Sequence, residues 1–106
     1  MDAEKILQNN FENKEKSFLF YLKRQQKFNK EAFKSLIEAI RFLSVNEVSI
    51  SKTARQINAV YGQILQCFMY HFDRDDSFKI GNMPVEYNKI LQYLNDSVDY
   101  YFTTRI

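Results

Sequence analysis

The sequence predicts an all-α fold, a compact bundle of about four helices that are antiparallel because the connections between them are short. The chain has only two glycines and one proline among 106 residues, too few for the tight turns of a sandwich or barrel. Apolar residues recur at spacings of three and four in the middle of the chain, which predicts a long third helix over about residues 50–73. This stripe consists of Ile50, Ala54, Ile57, Tyr61, Ile64, Phe68 and Phe72. A chain of this length is expected to form one domain, residues 1–106.

The bounds of the first two helices are predicted from their apolar faces and from a capping residue. The first is predicted to run from about Asp2 to Gln26, with Leu7, Phe11, Phe18 and Leu22 on one face. Asn29 is a good N-cap for the second helix. Phe28 and Phe33 flank this cap at the spacing of a hydrophobic staple, and the helix is expected to end near residues 44–46.

The remaining elements follow from capping and turn residues. Ser49 or Ser51 is predicted to cap the third helix. Residues 73–82 read as a loop, with a tight turn at Gly81 and Asn82, since both residues tolerate positive φ. Pro84 is predicted to open the fourth helix, because proline suits the first helical position. Its inward residues are predicted to be Tyr87, Ile90, Leu91, Leu94, Val98 and Tyr101.

The charges in the two halves of the chain and the number of cysteines limit which kinds of protein this can be. Residues 1–59 hold 11 Lys or Arg against seven Asp or Glu, whereas residues 60–106 hold four against six. The chain therefore has a basic front and a mildly acidic back. Cys67 is the only cysteine, so no internal disulfide is possible. The charged start and the absence of an apolar run near the roughly 20 residues of a membrane helix lead us to expect a soluble cytoplasmic protein.

The chain offers little for catalysis or metal binding. Cys67, His71 and Asp75 are spaced four apart on one predicted helix face. Tetrahedral zinc needs more His or Cys ligands than this chain has, so we read the group as packing and solvated residues. Asp73, Asp75 and Asp76 lack the glycine and closing glutamate of a calcium loop. We expect a protein that is not an enzyme and has no cofactor or metal.

Acidic and tyrosine residues accumulate in the back half, which suggests a surface for a protein partner. Tyrosine provides rigid contact area, and carboxylates steer association with a basic partner. The predicted partner-binding residues are Tyr70, Asp73, Asp75, Asp76, Tyr87, Asp96, Asp99, Tyr100 and Tyr101. In size and general character the chain resembles the small helical immunity proteins with which bacteria neutralise toxins or bacteriocins. The resemblance implies a tight complex that occludes the active site of a basic toxin domain, such as a nuclease.

Residues 51–68 allow an alternative, a helix-turn-helix regulator that binds DNA. The turn would fall near Asn58, and Ala54 would be the small residue that lets the two helices approach. The residues that would reach DNA are Arg55, Gln56, Tyr61, Gln63 and Gln66. Against it, no Lys or Arg occurs between Ala59 and Phe72, although phosphate contacts supply much of DNA affinity. A third hypothesis is a self-associating bundle with the apolar run Phe18–Leu22 as its interface.

Overall fold

The computed structural model describes residues 2–46 and 50–104, and this part of the chain forms five α-helices without strands. The helices are α1 (Ala3–Phe11), α2 (Phe18–Arg24), α3 (Lys30–Val45), α4 (Ile50–Phe72) and α5 (Tyr87–Thr103). The predicted all-α bundle is confirmed. The predicted cap Ser49 lies outside the described residues, and Ser51 is the second residue of α4.

The stretch from Asp2 to Gln26 contains two helices, α1 and α2, so the prediction of a single first helix is wrong. The fold therefore has one helix more than expected among the described residues. Asn13 has a φ of 54° and ends α1 in the left-handed conformation that asparagine tolerates. The N–H of Lys14 then donates to the carbonyl of Asn9 at 2.9 Å, as in a Schellman motif. Ser17 starts α2 by accepting a hydrogen bond from the third residue of that helix at 3.2 Å.

Helices α3 and α4 begin and end near their predicted bounds. The Asn29 side chain accepts the N–H of Ala32 at 2.9 Å, and the rings of Phe28 and Phe33 lie 5.4 Å apart, so the predicted cap and staple are both present. Helix α4 is continuous over 23 residues. The long third helix is therefore confirmed.

The start of α5 differs from the prediction, because the helix begins at Tyr87 and not at Pro84. The predicted turn at Gly81 and Asn82 is present, although Gly81 has no positive φ. The N–H of Gly81 donates to the carbonyl of Gln26 at 2.8 Å. The N–H groups of Lys89 and Ile90 donate to the carbonyl of Glu86 at 3.0 and 3.2 Å, so the first hydrogen-bonded turn of α5 forms at Glu86.

Contacts between side chains give the directions of the helices. Helices α4 and α5 are antiparallel, as predicted for consecutive helices, whereas α1 lies alongside α4 in the same direction. The antiparallel pair is defined by Tyr61 with Asn95 and Phe72 with Tyr87, and the parallel pair by Gln8 with Gln56 and Asn13 with Gln63. Helix α5 packs mainly against α3 and less against α4.

The core contains residues from all five helices. It includes Leu7, Phe18, Leu22, Leu36, Ile40, Ile57, Ile64, Leu94 and Tyr101. Phe18, Leu19 and Leu22 are fully buried within the chain itself. Phe20 and Tyr21 are partly exposed, so only these two residues of the run Phe18–Leu22 remain for the self-association hypothesis.

The loop between α4 and α5 is attached to the bundle by several hydrogen bonds. The backbone N–H of Ile80 donates to His71 Nδ1 at 2.8 Å, and the Ile80 side chain is buried. Asn82 accepts the N–H of Phe28 at 2.7 Å and donates to the Phe28 carbonyl at 3.0 Å. This loop therefore closes the bundle at the end where α4 finishes.

Candidate protein-binding surface

The C-terminal half of α4 carries more apolar surface than the core covers. Leu65, Phe68, Met69 and Phe72 line an open groove of about 520 Å³ together with Leu91 of α5 and the polar Asp73. Met69 is 69% exposed and Phe72 is 48% exposed. We call this feature the α4–α5 groove. Contiguous exposed apolar surface is typical of binding surfaces, which makes this groove the candidate site.

The packing of α5 explains why the groove is open. Because α5 lies mainly on α3, the side of α4 that faces α5 is covered incompletely. The ring of Tyr87 at the start of α5 lies 4.7 Å from the ring of Phe72, which lines the groove. Leu65 and Leu91 are each only partly buried. The groove is thus a gap between two antiparallel helices.

An acidic turn borders the groove where α4 ends. Asp73 accepts the N–H of Asp75 at 2.9 Å, and Asp76 accepts the N–H of Phe78 at 2.8 Å, so two of its three carboxylates shape the turn. The Lys79 ammonium donates to the backbone carbonyls of Asp73 and Asp76 at 2.7 and 2.9 Å. Described residues 60–104 hold three Lys or Arg against six Asp or Glu, a net of −3. The groove is therefore formed by residues from the acidic half of the chain.

The structure divides the predicted partner-binding residues into two groups. One group surrounds the end of α4 and contains Tyr70, Asp73, Asp75, Asp76 and Tyr87. Tyr70 packs edge-on against Phe78 of the loop, 6.4 Å between ring centroids, and does not line the groove. The other group, Asp96, Asp99 and Tyr100, lies exposed on the outer face of α5. A partner that covers both groups must span most of the length of α5.

Tyr101 belongs to neither group, and its assignment to the partner surface is wrong. Its side chain is fully buried. Tyr101 follows Leu94 by seven residues and Val98 by three, so the helical period places it on the core face of α5. Tyr100, one residue earlier, is 42% exposed.

The apolar residues of the groove are absent from the predicted partner-binding set, which shares only Asp73 with the groove lining. These missed residues are Leu65, Phe68, Met69, Phe72 and Leu91. Met69 follows Leu65 by four residues, and Phe72 follows Met69 by three. Leu65, Met69 and Phe72 form a second apolar stripe beside the core stripe of α4. That stripe was the available signal, because α4 has more apolar residues than one core-facing face needs.

The helix-turn-helix hypothesis loses its structural basis, since α4 continues through Asn58 without a turn. Four of the five residues proposed to reach DNA have contacts within the chain. Gln56 is buried against Gln8, Tyr61 donates to Asn95 at 2.8 Å, Gln63 accepts from Lys23 at 3.0 Å, and Arg55 lies 5.8 Å from the centre of the Phe11 ring. Gln66 is exposed.

The Cys67 and His71 pair has a role in packing. Cys67 is buried, and burial raises the pKa of its thiol. His71 uses Nδ1 to accept the N–H of Ile80, and burial together with the charge of Lys79 lowers the pKa of the imidazole. Within residues 2–46 and 50–104, no three His, Cys, Asp or Glu side chains come together to hold a metal ion.

A comparison of the chain with protein-family models, with curated proteins and with solved structures found no match to any of them. Over the described part of the chain, no helix combines the length and the apolar character needed to cross a membrane.

Proposed function

We propose that this protein is a non-catalytic binding module that forms a stoichiometric complex with a basic protein through the α4–α5 groove and the acidic turn beside it. The observation that carries the proposal is the exposure of Met69 and Phe72 on an apolar wall next to Asp73. Burying a whole side chain of this size contributes roughly 1.5–3 kcal/mol. Two half-exposed anchors therefore supply a substantial share of the energy of a protein complex, since few residues dominate such interfaces.

The role that fits this module best is that of an immunity-type protein. In that role the module covers the active site or substrate groove of a toxin domain and needs no chemistry of its own. A toxin that acts on nucleic acid has a basic surface, which the net charge of −3 over residues 60–104 would complement. Asp96, Asp99 and Tyr100 would extend the contact along α5.

The same charge disfavours a complex with DNA through this surface. Carboxylates at the end of α4 repel phosphates, and phosphate contacts supply much of the affinity for DNA. No other described feature of α4 favours the DNA-binding alternative, since the turn that defined it is absent.

The experiment is affinity capture from a nuclease-treated lysate of the native host with matched variants. Met69→Ser removes an exposed apolar side chain from the groove, and Val45→Ser removes one that is 67% exposed at the end of α3. We expect one basic protein, captured in equal amount by the wild type and by Val45→Ser, and a loss with Met69→Ser. Equal capture by all three proteins would refute a role of the α4–α5 groove in binding. If the captured material is lost on nuclease treatment, the proposal of a protein partner is refuted.

The electrostatic part of the proposal has its own measurement. Asp75 is exposed, so Asp75→Lys changes charge without removing core packing. We expect the association rate with the captured partner to fall several-fold at low salt, and the difference to disappear at high salt. A rate that does not change would show that the acidic turn does not face the partner.

A further inference from the structure

We infer that the α4–α5 groove receives an amphipathic helix of the partner, with a large apolar side chain seated among Leu65, Phe68, Met69 and Phe72 and a Lys or Arg directed to Asp73. This inference rests on the proposed function, because it names the part of the partner that the groove binds. It goes further by stating the secondary structure, the apolar spacing and the charge of that part.

The spacing of the groove residues indicates a helix. Leu65, Phe68, Met69 and Phe72 occupy positions i, i+3, i+4 and i+7 of α4. Four residues in this arrangement form the hole that accepts one knob from a facing helix. The set spans about 10 Å at a rise of about 1.5 Å per residue, which matches two turns of an incoming helix.

The backbone chemistry of the groove gives an independent reason. Interior N–H and C=O groups of α4 are paired within that helix, so the groove walls offer an extended peptide few backbone partners. An extended segment would leave its own polar groups unpaired against apolar side chains, which is unfavourable for each such group. Addition of a strand requires an open sheet edge, and residues 2–46 and 50–104 contain no strand. A helix pairs its own backbone N–H and C=O groups, so it needs neither backbone partners in the groove nor a sheet edge.

Charge sets the orientation of the incoming helix. Asp73 lines the groove immediately after the last residue of α4. The C-terminal end of a helix carries partial negative charge, which adds to that of the carboxylate, and the Lys79 ammonium on the carbonyls of Asp73 and Asp76 offsets part of it. Lys79 contacts backbone carbonyls at this turn and no carboxylate oxygen of Asp73 or Asp76. A cationic side chain of the partner therefore complements this end of the groove.

The test is selection from a displayed library of helical peptides of about 18 residues, randomised at one face, against the full chain. We expect enrichment of Leu, Phe or Met at spacings of three and four, with Lys or Arg at one end. The best peptide, made synthetically, should bind the wild type and Val45→Ser alike. Met69→Ser should weaken it about tenfold, which corresponds to the loss of one buried anchor, and Asp73→Asn should reduce its salt dependence.

A proline in the middle of the selected peptide tests the helix itself, because proline breaks a helix interior. Loss of binding is expected, and undiminished binding would overturn the inference. The inference also fails if no helical peptide is enriched while the lysate partner still depends on Met69, an outcome in which the proposed function stands. Concentration-dependent dimerisation that Met69→Ser abolishes would identify a second copy as the occupant and overturn it too. Selected helices that bind the groove, with no lysate protein captured, would instead count against the proposed function.

Discussion

Asn10 connects the two helices that replace the single helix predicted at the start of the chain. Its side chain is only 2% exposed. Nδ2 donates to the carbonyl of Ile6 at 2.9 Å, and Oδ1 accepts the backbone N–H of Leu19 at 3.1 Å. That N–H lies in the first turn of α2, where the helix itself supplies no acceptor. Asn10→Ala removes both hydrogen bonds and leaves a buried donor without its acceptor.

The expected loss of stability can be worked out from these contacts. Two hydrogen bonds contribute about 1 kcal/mol each, and a buried unpaired donor adds about 1–3 kcal/mol. Alanine offsets about 0.5 kcal/mol through its higher helix propensity. A net loss of about 2.5–4.5 kcal/mol is therefore expected. With an unfolding entropy of about 2.1 cal/mol/K for each of 106 residues, this loss lowers Tm by about 11–20 °C.

The assay is urea and thermal unfolding followed by far-ultraviolet circular dichroism. Asn9→Ala is the matched control, because it removes the same side chain from the same helix at a neighbouring, partly exposed position. The control is expected to stay within about 0.5 kcal/mol of the wild type. If Asn10→Ala is as stable as Asn9→Ala, the role given to Asn10 in starting α2 is refuted.

Three further perturbations test the loop and the core. The free energy of unfolding should fall as the pH drops below about 6.5. Burial and the nearby Lys79 lower the pKa of His71, so the folded protein binds fewer protons than the unfolded chain in this range. In addition, a protonated Nδ1 cannot accept the N–H of Ile80. Urea unfolding between about pH 7.5 and 5.5 should show this slope in the wild type and a smaller one in His71→Gln; equal slopes would contradict it. Asn82→Ala should lower the free energy of unfolding by about 2 kcal/mol, measured by urea unfolding, because two hydrogen bonds to Phe28 are lost. An unchanged urea midpoint would show that this attachment does not stabilise the fold. Cys67 should react slowly with a thiol reagent until urea unfolds the chain, because burial protects the thiol and raises its pKa; fast labelling of the native protein would place it at the surface.

Local patterns in the sequence were enough to predict the features that depend on neighbours along the chain. The apolar stripe of α4 kept its phase for about six turns, and the structure has one helix there. Asn29 caps α3 because its side chain needs only the backbone three residues ahead. The signals of Asn13 and Ser17 were also local, but asparagine and serine occur in helix interiors as well as at their ends, and the apolar face of this stretch favoured a single helix.

The candidate surface was predictable only in part. Tyr70, Tyr87 and the three carboxylates of the acidic turn are close in sequence to the ends of α4 and α5, so their clustering follows from the helix bounds. The groove does not follow from them. Whether Leu65 and Met69 are core or surface depends on how closely α5 approaches α4, and no local pattern encodes that distance.

The sequence by itself determined the all-α class, the long third helix and the basic and acidic halves of the chain, because periodicity, capping and charge act over a few residues. Only the tertiary structure decided that Asn10 joins two helices and that Met69 and Phe72 face an open groove. These outcomes depend on which helices become neighbours and on the side from which they pack. That arrangement is a compromise among all the buried faces at once, since each helix can cover only part of another.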